Sequence, residues 1–132
     1  MPPKVTKTDQ EWRAQLSDLA YKVSRKSATE RAHSHDNFPK SNGMFTCTCC
    51  GADLFDAATK FESGTGWPSF YAPMSKEAVG EKSDNTLFMR RTEVHCADCE
   101  AHLGHIFPDG PNPTGRRYCI NGVALDFKPN DD

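Results

Sequence analysis

The N-terminal part of the chain shows the apolar periodicity of an amphipathic helix. Four apolar side chains recur at spacings of 4, 3 and 4 residues: Trp12, Leu16, Leu19 and Val23. This spacing places them on one helical face. Thr8 and Glu11 just ahead of that face have the spacing of a capping box. The pattern predicts a helix that starts after Thr8 and lays Trp12 and Leu16 on the main core. A second short helical turn is predicted near residues 27–31, and a loop over 33–42.

From Gly43 onward the pattern changes to short apolar runs separated by Gly, Pro, Asn and Asp. Turn-forming residues at such close intervals favour an all-β module. The predicted strands are 44–46, 70–71, 79–82, 86–92, 93–95, 102–107, 117–121 and 123–127. In the last of these, Val123, Leu125 and Phe127 alternate with small or polar residues, as in a half-buried strand. Residues 107–115 hold three prolines and two glycines, which predicts an irregular loop.

Composition indicates one small domain. The chain has 132 residues, a hydrophobic fraction of 36% and a mean hydropathy of −0.70, so its core is thin and a metal staple would help it. We predict a disordered leader over 1–7, a domain over 8–127 and a polar tail over 128–132.

A net charge of −2 without charge runs argues against nucleic acid and anionic membranes as partners. No apolar stretch approaches the roughly 20 residues of a membrane span, and no signal core is present, so the cytoplasm is the default compartment. A monomer is the default oligomeric state.

Four of the six cysteines form two C-x-x-C pairs. The pairs are Cys47 with Cys50 and Cys96 with Cys99. Four thiolates can surround one zinc ion, and four protein ligands leave no open position, which is typical of a structural site. Because 45 residues separate the pairs, the ion would clamp two distant hairpins. Surface dithiols, or a redox pair at residues 96 and 99, are the weaker alternatives. Cys49, inside the first pair, is predicted to be an exposed or half-buried spare thiol, with a redox role less favoured.

Cys119 is the remaining cysteine and the candidate for chemistry. Arg116 and Arg117 precede it, and a nearby guanidinium favours thiolate over thiol. A lone cysteine is more often a small core hydrophobe. In a strand, however, Arg117, Cys119 and Asn121 share one face while the residues between them face the core. The strand would therefore present a cation, a nucleophilic sulfur and an amide on one surface.

Two histidines and a tryptophan are further candidates. His102 and His105 would face opposite ways in a regular strand, but a bulge at Gly104 would bring both to one face. Histidines near a thiolate can donate protons, and ordinary strand residues are the equally weighted alternative. Trp67, in the glycine-rich turn over 64–70, offers a flat wall for a methyl or thioether group. From the turn alone, a buried structural tryptophan is favoured.

Taken together, four segments resemble the methionine-R-sulfoxide reductases of the B type. They are 47–55 (CTCCGADLF), 60–71 (KFESGTGWPSFY), 94–110 (VHCADCEAHLGHIFPDG) and 115–125 (GRRYCINGVAL). With the N-terminal helix, the resemblance covers roughly nine tenths of the chain. It implies a mainly β fold in which two antiparallel sheets form a zinc-stapled roll or sandwich, with short N-terminal helices. It also implies an enzyme that reduces methionine-R-sulfoxide in oxidised proteins and so repairs them after oxidative stress.

The resemblance also implies residue roles. Cys119 would be the nucleophile, Trp67 would pack on the substrate methyl, and Phe107 would complete the apolar wall. Arg117 would support the thiolate, and Asp109 would assist the histidines. Three polar side chains would surround the sulfoxide oxygen: His102, His105 and Asn121. Four cysteines would hold structural zinc: Cys47, Cys50, Cys96 and Cys99.

One position departs from the family pattern. Many members carry a resolving cysteine where this chain has Thr65, and residues 1–46 contain no cysteine. The Cys119 sulfenic acid would then be reduced by an external thiol such as thioredoxin, glutaredoxin or glutathione. The alternative is that Cys49 approaches Cys119, which requires the first zinc knuckle to move. We favour the external thiol because a stapled knuckle is stiff.

Two non-enzymatic functions compete with this interpretation. A zinc-stapled β fold can serve as a binding adaptor, since fold does not determine function. A nucleic-acid-binding zinc ribbon is less favoured because the lysines and arginines are scattered.

Overall fold

The computed structural model describes residues 7–26, 28–29, 42–61, 64–86, 89–112 and 114–129. Within these ranges, two helices precede nine strands. The helices are α1 Asp9–Gln15 and α2 Asp18–Lys26. The strands are β1 Gly43–Cys47, β2 Asp53–Asp56, β3 Lys60–Phe61, β4 Ser69–Phe70, β5 Val79–Thr86, β6 Met89–Cys96, β7 His102–Phe107, β8 Arg117–Ile120 and β9 Leu125–Pro129. The predicted mainly β class with short N-terminal helices is confirmed.

The predicted capping box starts α1. The backbone N–H of Glu11 donates to Thr8 Oγ1 at 3.2 Å, and the N–H of Thr8 donates to Glu11 Oε1 at 3.0 Å. Two N–H groups at the helix start are thereby satisfied. Trp12 follows on the buried side, as predicted. Among the helices in the described ranges, none is long and apolar enough to cross a membrane.

The predicted single helix is in fact two. The backbone becomes extended at Leu16, and Ser17 Oγ accepts from the N–H of Ala20 at 3.2 Å, so a serine cap starts α2. This break changes the helical phase. Val23 is buried as predicted, but Leu19 is 36% exposed, so its place on the core face was wrong. The predicted turn over 27–31, the loop over 33–42 and the leader over 1–7 lie almost wholly outside the described residues.

Several predicted strand limits also change. The predicted strand over 86–92 was wrong, because Thr86 ends β5 and Met89 begins β6 of the same hairpin. The last strand starts at Leu125 instead of 123, since Gly122–Ala124 form a 3₁₀ turn. It then runs to Pro129, two residues into the predicted polar tail.

The described strands form two antiparallel sheets. The small sheet has the order β2-β1-β9, and the large sheet has the order β3-β4-β8-β7-β6-β5. An aromatic cluster packs one sheet on the other. Phe55 from β2 stacks on Phe70 from β4 with ring centroids 4.4 Å apart, and Phe45 from β1 contacts Phe70 edge-on at 5.1 Å. These rings are completely buried and form the centre of the core.

The register of the large sheet lines up polar residues from five neighbouring strands. Directly opposed residues of an antiparallel sheet present their side chains on the same face. We call this set the polar row. From β4 to β5 its members are Ser69, Cys119, His105, Glu93 and Lys82.

Candidate active site and metal centre

A pocket of about 110 Å³ lies over the middle of the large sheet. Five of its lining residues were sequence candidates: Trp67, His105, Phe107, Cys119 and Asn121. Gly104 and Thr29 complete the lining. Thr29 was missed, because it follows α2 and no local pattern connects it with strands some 75 residues away (positions 29 and 104). Helix α2 packs on β7 and so brings this end of the chain to the pocket.

The sulfur that we expected to be reactive is accessible. Cys119 is half-buried on β8, directly opposite His105 of β7. Its neighbours Tyr118 and Ile120 are buried, so the alternation predicted for this strand is confirmed. The pocket therefore brings together a thiol, an imidazole and two aromatic walls.

The arginine two residues before the cysteine is held in place. Arg117 Nε donates to Asp109 Oδ1 at 2.9 Å and Nη2 donates to Oδ2 at 3.3 Å, while the guanidinium lies 4.4 Å from the Phe107 ring centroid. The hydrogen bond from Arg117 lowers the pKa of Asp109. Asp109 thus orders Arg117, which in turn packs on one wall of the pocket.

Asn121 is fixed by two hydrogen bonds to a single carbonyl. Its backbone N–H and its Nδ2 donate to Leu103 O at 2.8 and 3.0 Å. Because Leu103 belongs to β7, these bonds continue the β7–β8 ladder past the end of β8. The side chain is buried and lines the pocket in a fixed orientation.

The two histidines come together through a bulge. Their ring centroids lie 5.5 Å apart. The register shifts where β6 changes from Val94 to His95, so the extra residue of β7 is Leu103, one position before the predicted bulge at Gly104. The two histidines occupy different depths. His105 lines the pocket, whereas His102 is 3% exposed and is not among the lining residues.

The four predicted metal ligands form one cluster within the described residues. The sulfurs of Cys47, Cys50, Cys96 and Cys99 all lie within 4.8 Å of one another. The Cys47–Cys99 and Cys50–Cys96 sulfur pairs are each 3.6 Å apart. Four sulfurs at about 2.3 Å from a central zinc ion would be roughly 3.8 Å apart, so the cluster has the size of a tetrahedral zinc site.

Matched turns build the two halves of this cluster. Gly51 N–H donates to Cys47 O and Glu100 N–H donates to Cys96 O, both at 2.8 Å. Both donors have left-handed backbone, with φ of 79° and 64°. The first turn follows β1 of the small sheet and the second follows β6 of the large sheet. A metal ion here would therefore join the two sheets.

The crowding of these thiols favours a bound cation. Hydrogen bonds with Cys47 and Cys99 lower the pKa of Cys96, and hydrogen bonds with Cys49 and Cys50 raise the pKa of Cys47. Without a cation the crowded sulfurs must share protons, because adjacent thiolates repel one another. A divalent metal would replace those protons.

Comparison with protein families matches residues 16–129 to the SelR domain. The chain belongs to the SelR-domain family. The peptide methionine sulfoxide reductase MsrB of Pseudomonas putida (strain W619) is 56% identical over 129 residues, which are 97% of each chain. The protein of the same name from Thiobacillus denitrificans is 52% identical over 126 residues, 95% of this chain and 96% of that one. The predicted resemblance is confirmed, and this SelR-domain protein is an oxidoreductase.

One cysteine of the SelR domain is more deeply buried than predicted. Cys49 is 5% exposed, so the expectation of an exposed or half-buried thiol was wrong. The reason is the docking of the helices. Cys49 Sγ donates to Ser24 Oγ of α2 at 3.3 Å, and Gln15 Nε2 donates to Cys49 O at 2.7 Å. Arg25 Nη2 makes the equivalent bond to Cys99 O at 2.8 Å, so the helices cover both knuckles of the domain.

Gly104 allows β7 and β8 to approach each other closely beside the pocket of the SelR domain. A Cβ at this position would overlap the carbonyl oxygen of Cys119 on the paired strand. Because the three nearest atoms all belong to the backbone of Cys119 and Ile120, Gly104→Ala must push β7 away from β8. We expect a loss of about 1–3 kcal/mol in the free energy of unfolding and at least a tenfold loss of activity. Urea unfolding and an activity assay measure the two effects.

Gly115→Ala is the matched control. Gly115 has φ of 71°, and the space that a Cβ would occupy there is open, so alanine adds backbone strain of about 1–2 kcal/mol without a clash. Activity should survive this change. A Gly104→Ala protein as stable and active as the wild type would contradict the close approach of the two strands.

Proposed function

We propose that this chain reduces methionine-R-sulfoxide residues of oxidised proteins to methionine. The observation that carries the proposal is the pocket that Cys119 lines together with two aromatic side chains, Trp67 and Phe107, and two polar ones, His105 and Asn121. The relatives named as peptide methionine sulfoxide reductases support it. A non-enzymatic adaptor would have no use for a pocket built around an accessible thiol.

The walls match the two ends of a methyl sulfoxide. Trp67 and Phe107 offer flat apolar surfaces to the methyl group, where sulfur–aromatic contacts are favourable. His105 and Asn121 offer polar atoms to the oxygen. Since the sulfoxide sulfur is chiral, fixing the methyl and oxygen on different sides accepts one epimer. This agrees with the rule that each epimer has its own reductase.

The reaction transfers one oxygen and two electrons. The Cys119 thiolate attacks the sulfoxide sulfur to form an S–S bond, and His105 gives a proton to the oxygen. The resulting hydroxyl then moves to the Cys119 sulfur as the S–O and S–S bonds break, so that methionine leaves and Cys119 becomes sulfenic acid. The cysteine sulfur loses two electrons and the sulfoxide sulfur gains them. The depth of the two histidines favours His105 as the direct donor, with His102 behind it.

Arg117 supports the thiolate form of the nucleophile. It lies on the same face of β8 as Cys119, and its bidentate bond with Asp109 fixes the guanidinium. A fixed cation near a thiol favours the ionised sulfur. Asp109 then acts through Arg117 in this proposal, and its implied help to the histidines is indirect.

Zinc bound by the four clustered cysteines would be structural. Four protein ligands leave no position for substrate, and the cluster joins turns of both sheets. Its contribution would be to hold the end of β6, the neighbour of β7, in a fixed position against the small sheet.

An external thiol, with thioredoxin the leading choice, would complete the cycle in the cytoplasm, where such thiols are kept reduced. Two thiols reduce the sulfenic acid to Cys119, water and one disulfide. Burial of Cys49 beneath α2 supports this route over an internal disulfide. A Cys49–Cys119 disulfide trapped after a single turnover and found by mass spectrometry would contradict it.

A stereospecific assay tests the proposal. Pure R and pure S epimers of a peptide methionine sulfoxide are supplied with thioredoxin or with a small dithiol, and methionine is quantified. We expect methionine from the R epimer with either electron source, and less than about a hundredth of that rate from the S epimer. Equal rates for the two epimers, or no methionine from the R epimer, would reject the proposal.

A further inference from the structure

Glu93 of β6 has an unusual environment for a carboxylate. The residue is 8% exposed, and carboxylates are seldom buried unless they are paired. Its Oε1 lies 3.3 Å from Nδ1 of His102, which is 3% exposed; the contact is an ion pair and not an aligned hydrogen bond. Its Oε2 lies 3.9 Å from Nζ of Lys82, a side chain that is 66% exposed. The buried contact of Glu93 is therefore with a histidine of the pocket region.

The place of Glu93 in the sheet connects it with the nucleophile. In the polar row, Glu93 is directly opposite His105, and His105 is directly opposite Cys119. The bulge at Leu103 brings the His102 ring to within 5.5 Å of the His105 ring. The carboxylate thus stands behind both imidazoles, on the side away from the sulfur.

We propose that Glu93 is a positioning residue of the reductase site, which orients the His102 ring and keeps a proton on its Nδ1. This inference rests on the proposed function. When His105 gives its proton to the departing oxygen, the Nε2 proton of His102 replaces it, directly or through water, and His102 regains a proton from solvent between turnovers. Glu93 itself transfers no proton in this proposal.

The physical basis is the interaction of a buried anion with an imidazole. A carboxylate within about 4 Å stabilises the imidazolium form, and it does so more strongly where water is excluded. A carboxylate also determines which ring nitrogen carries hydrogen, as carboxylates that accept from metal-bound histidines do. Among the described side chains, the charged and titratable groups placed against Glu93 from other strands are Lys82 from β5 and both histidines from β7. Lys82 is too exposed to replace the effect of a buried partner.

The test compares two isosteric changes. Glu93→Gln removes the charge and keeps the shape. Glu81→Gln is the matched control, since Glu81 on the neighbouring strand is paired with Arg116 at 2.8 Å but is exposed. The rate of methionine formation from the R epimer is measured in single turnovers over a range of pH. We expect Glu93→Gln to be at least tenfold slower near pH 8, with a KM within about twofold of the wild type.

The pH profile separates a proton role from a structural role. Removing the anion lowers the pH at which His102 loses its proton. The alkaline limb of the Glu93→Gln profile should therefore move about one unit or more to lower pH, while that of Glu81→Gln should not move. In His102→Gln the Glu93→Gln change should have no additional effect, because the carboxylate acts through that ring. An unmoved limb, or additive losses in the double variant, would overturn the inference.

A second measurement does not depend on the substrate. Nitrogen-15 NMR of the imidazoles follows the titration of His102 in the wild type and in Glu93→Gln. We expect a lower titration midpoint in the variant and a loss of the Nδ1–H form. An unchanged titration would reject the role of Glu93 even if the enzyme proves to act on another sulfoxide. If Glu93→Gln does not fold, Glu93→Asp replaces it, because it moves the carboxylate back by one methylene. The shift of the alkaline limb and the shift of the His102 titration midpoint are then measured on that variant.

Discussion

Cys119→Ser is expected to abolish turnover while the fold stays intact. A serine hydroxyl has nearly the same shape, but it does not ionise near neutral pH and cannot attack the sulfoxide sulfur. We expect at least a 10³-fold loss of methionine formation from the R epimer. Because Cys119 is half-buried at a pocket, the melting temperature should change by less than about 2 °C.

Two controls accompany Cys119→Ser. One checks that the variant is folded, and the other checks whether Cys49 is needed for turnover. Zinc content and melting temperature should match the wild type, which would show that chemistry alone was lost. Cys49→Ser should keep turnover with thioredoxin within about twofold, since Cys49 is buried against Ser24 and has no role in the proposed cycle. Full activity in Cys119→Ser would remove the nucleophile from the mechanism and favour a binding adaptor.

Cys96→Ser is expected to lose the metal and most of the stability together. The four sulfurs join the turn after β1 to the turn after β6, so one lost ligand loosens both sheets. Binding free energies of structural zinc are about 10–16 kcal/mol in small domains, comparable with the whole stability of a domain. We expect a loss of at least about 5 kcal/mol in the free energy of unfolding, with activity falling in parallel. Metal analysis and calorimetry of the same preparation measure both.

Cys49→Ser is also the matched control for this variant. Cys49 lies in the same turn as two of the ligands but is not a member of the quartet. It should retain one zinc ion per chain and a melting temperature near that of the wild type. If Cys96→Ser kept its stability, or if Cys119→Ser were destabilised as much as Cys96→Ser, the separation of structural from catalytic cysteines would be wrong.

Features that depend on neighbouring residues could be predicted from the sequence. The capping box of α1 needs only Thr8 and Glu11 three residues apart. The four-cysteine cluster needed only two C-x-x-C spacings, and the alternation along β8 separated Cys119 from the buried Tyr118 and Ile120. The two sheets followed from the family resemblance and not from periodicity, because strands of two residues such as β3 and β4 are too short to show a pattern.

Features that depend on distant packing could not be predicted in this way. The break at Leu16 turns Leu19 outward, and docking of α2 on the first knuckle buries Cys49. A bulge at Leu103 lets the His102 ring contact Glu93 while His105 stays at the pocket.

By itself, the sequence determined which residues are candidates for the chemistry and where the short-range turns and caps begin, since those depend on spacings of two to four positions. The tertiary structure alone decided the depth of each histidine, the burial of Cys49 and the approach of Thr29 and Glu93 to the site. Those contacts join strands and helices that are far apart in the chain, and one extra residue in a strand reverses the face on which every later side chain lies.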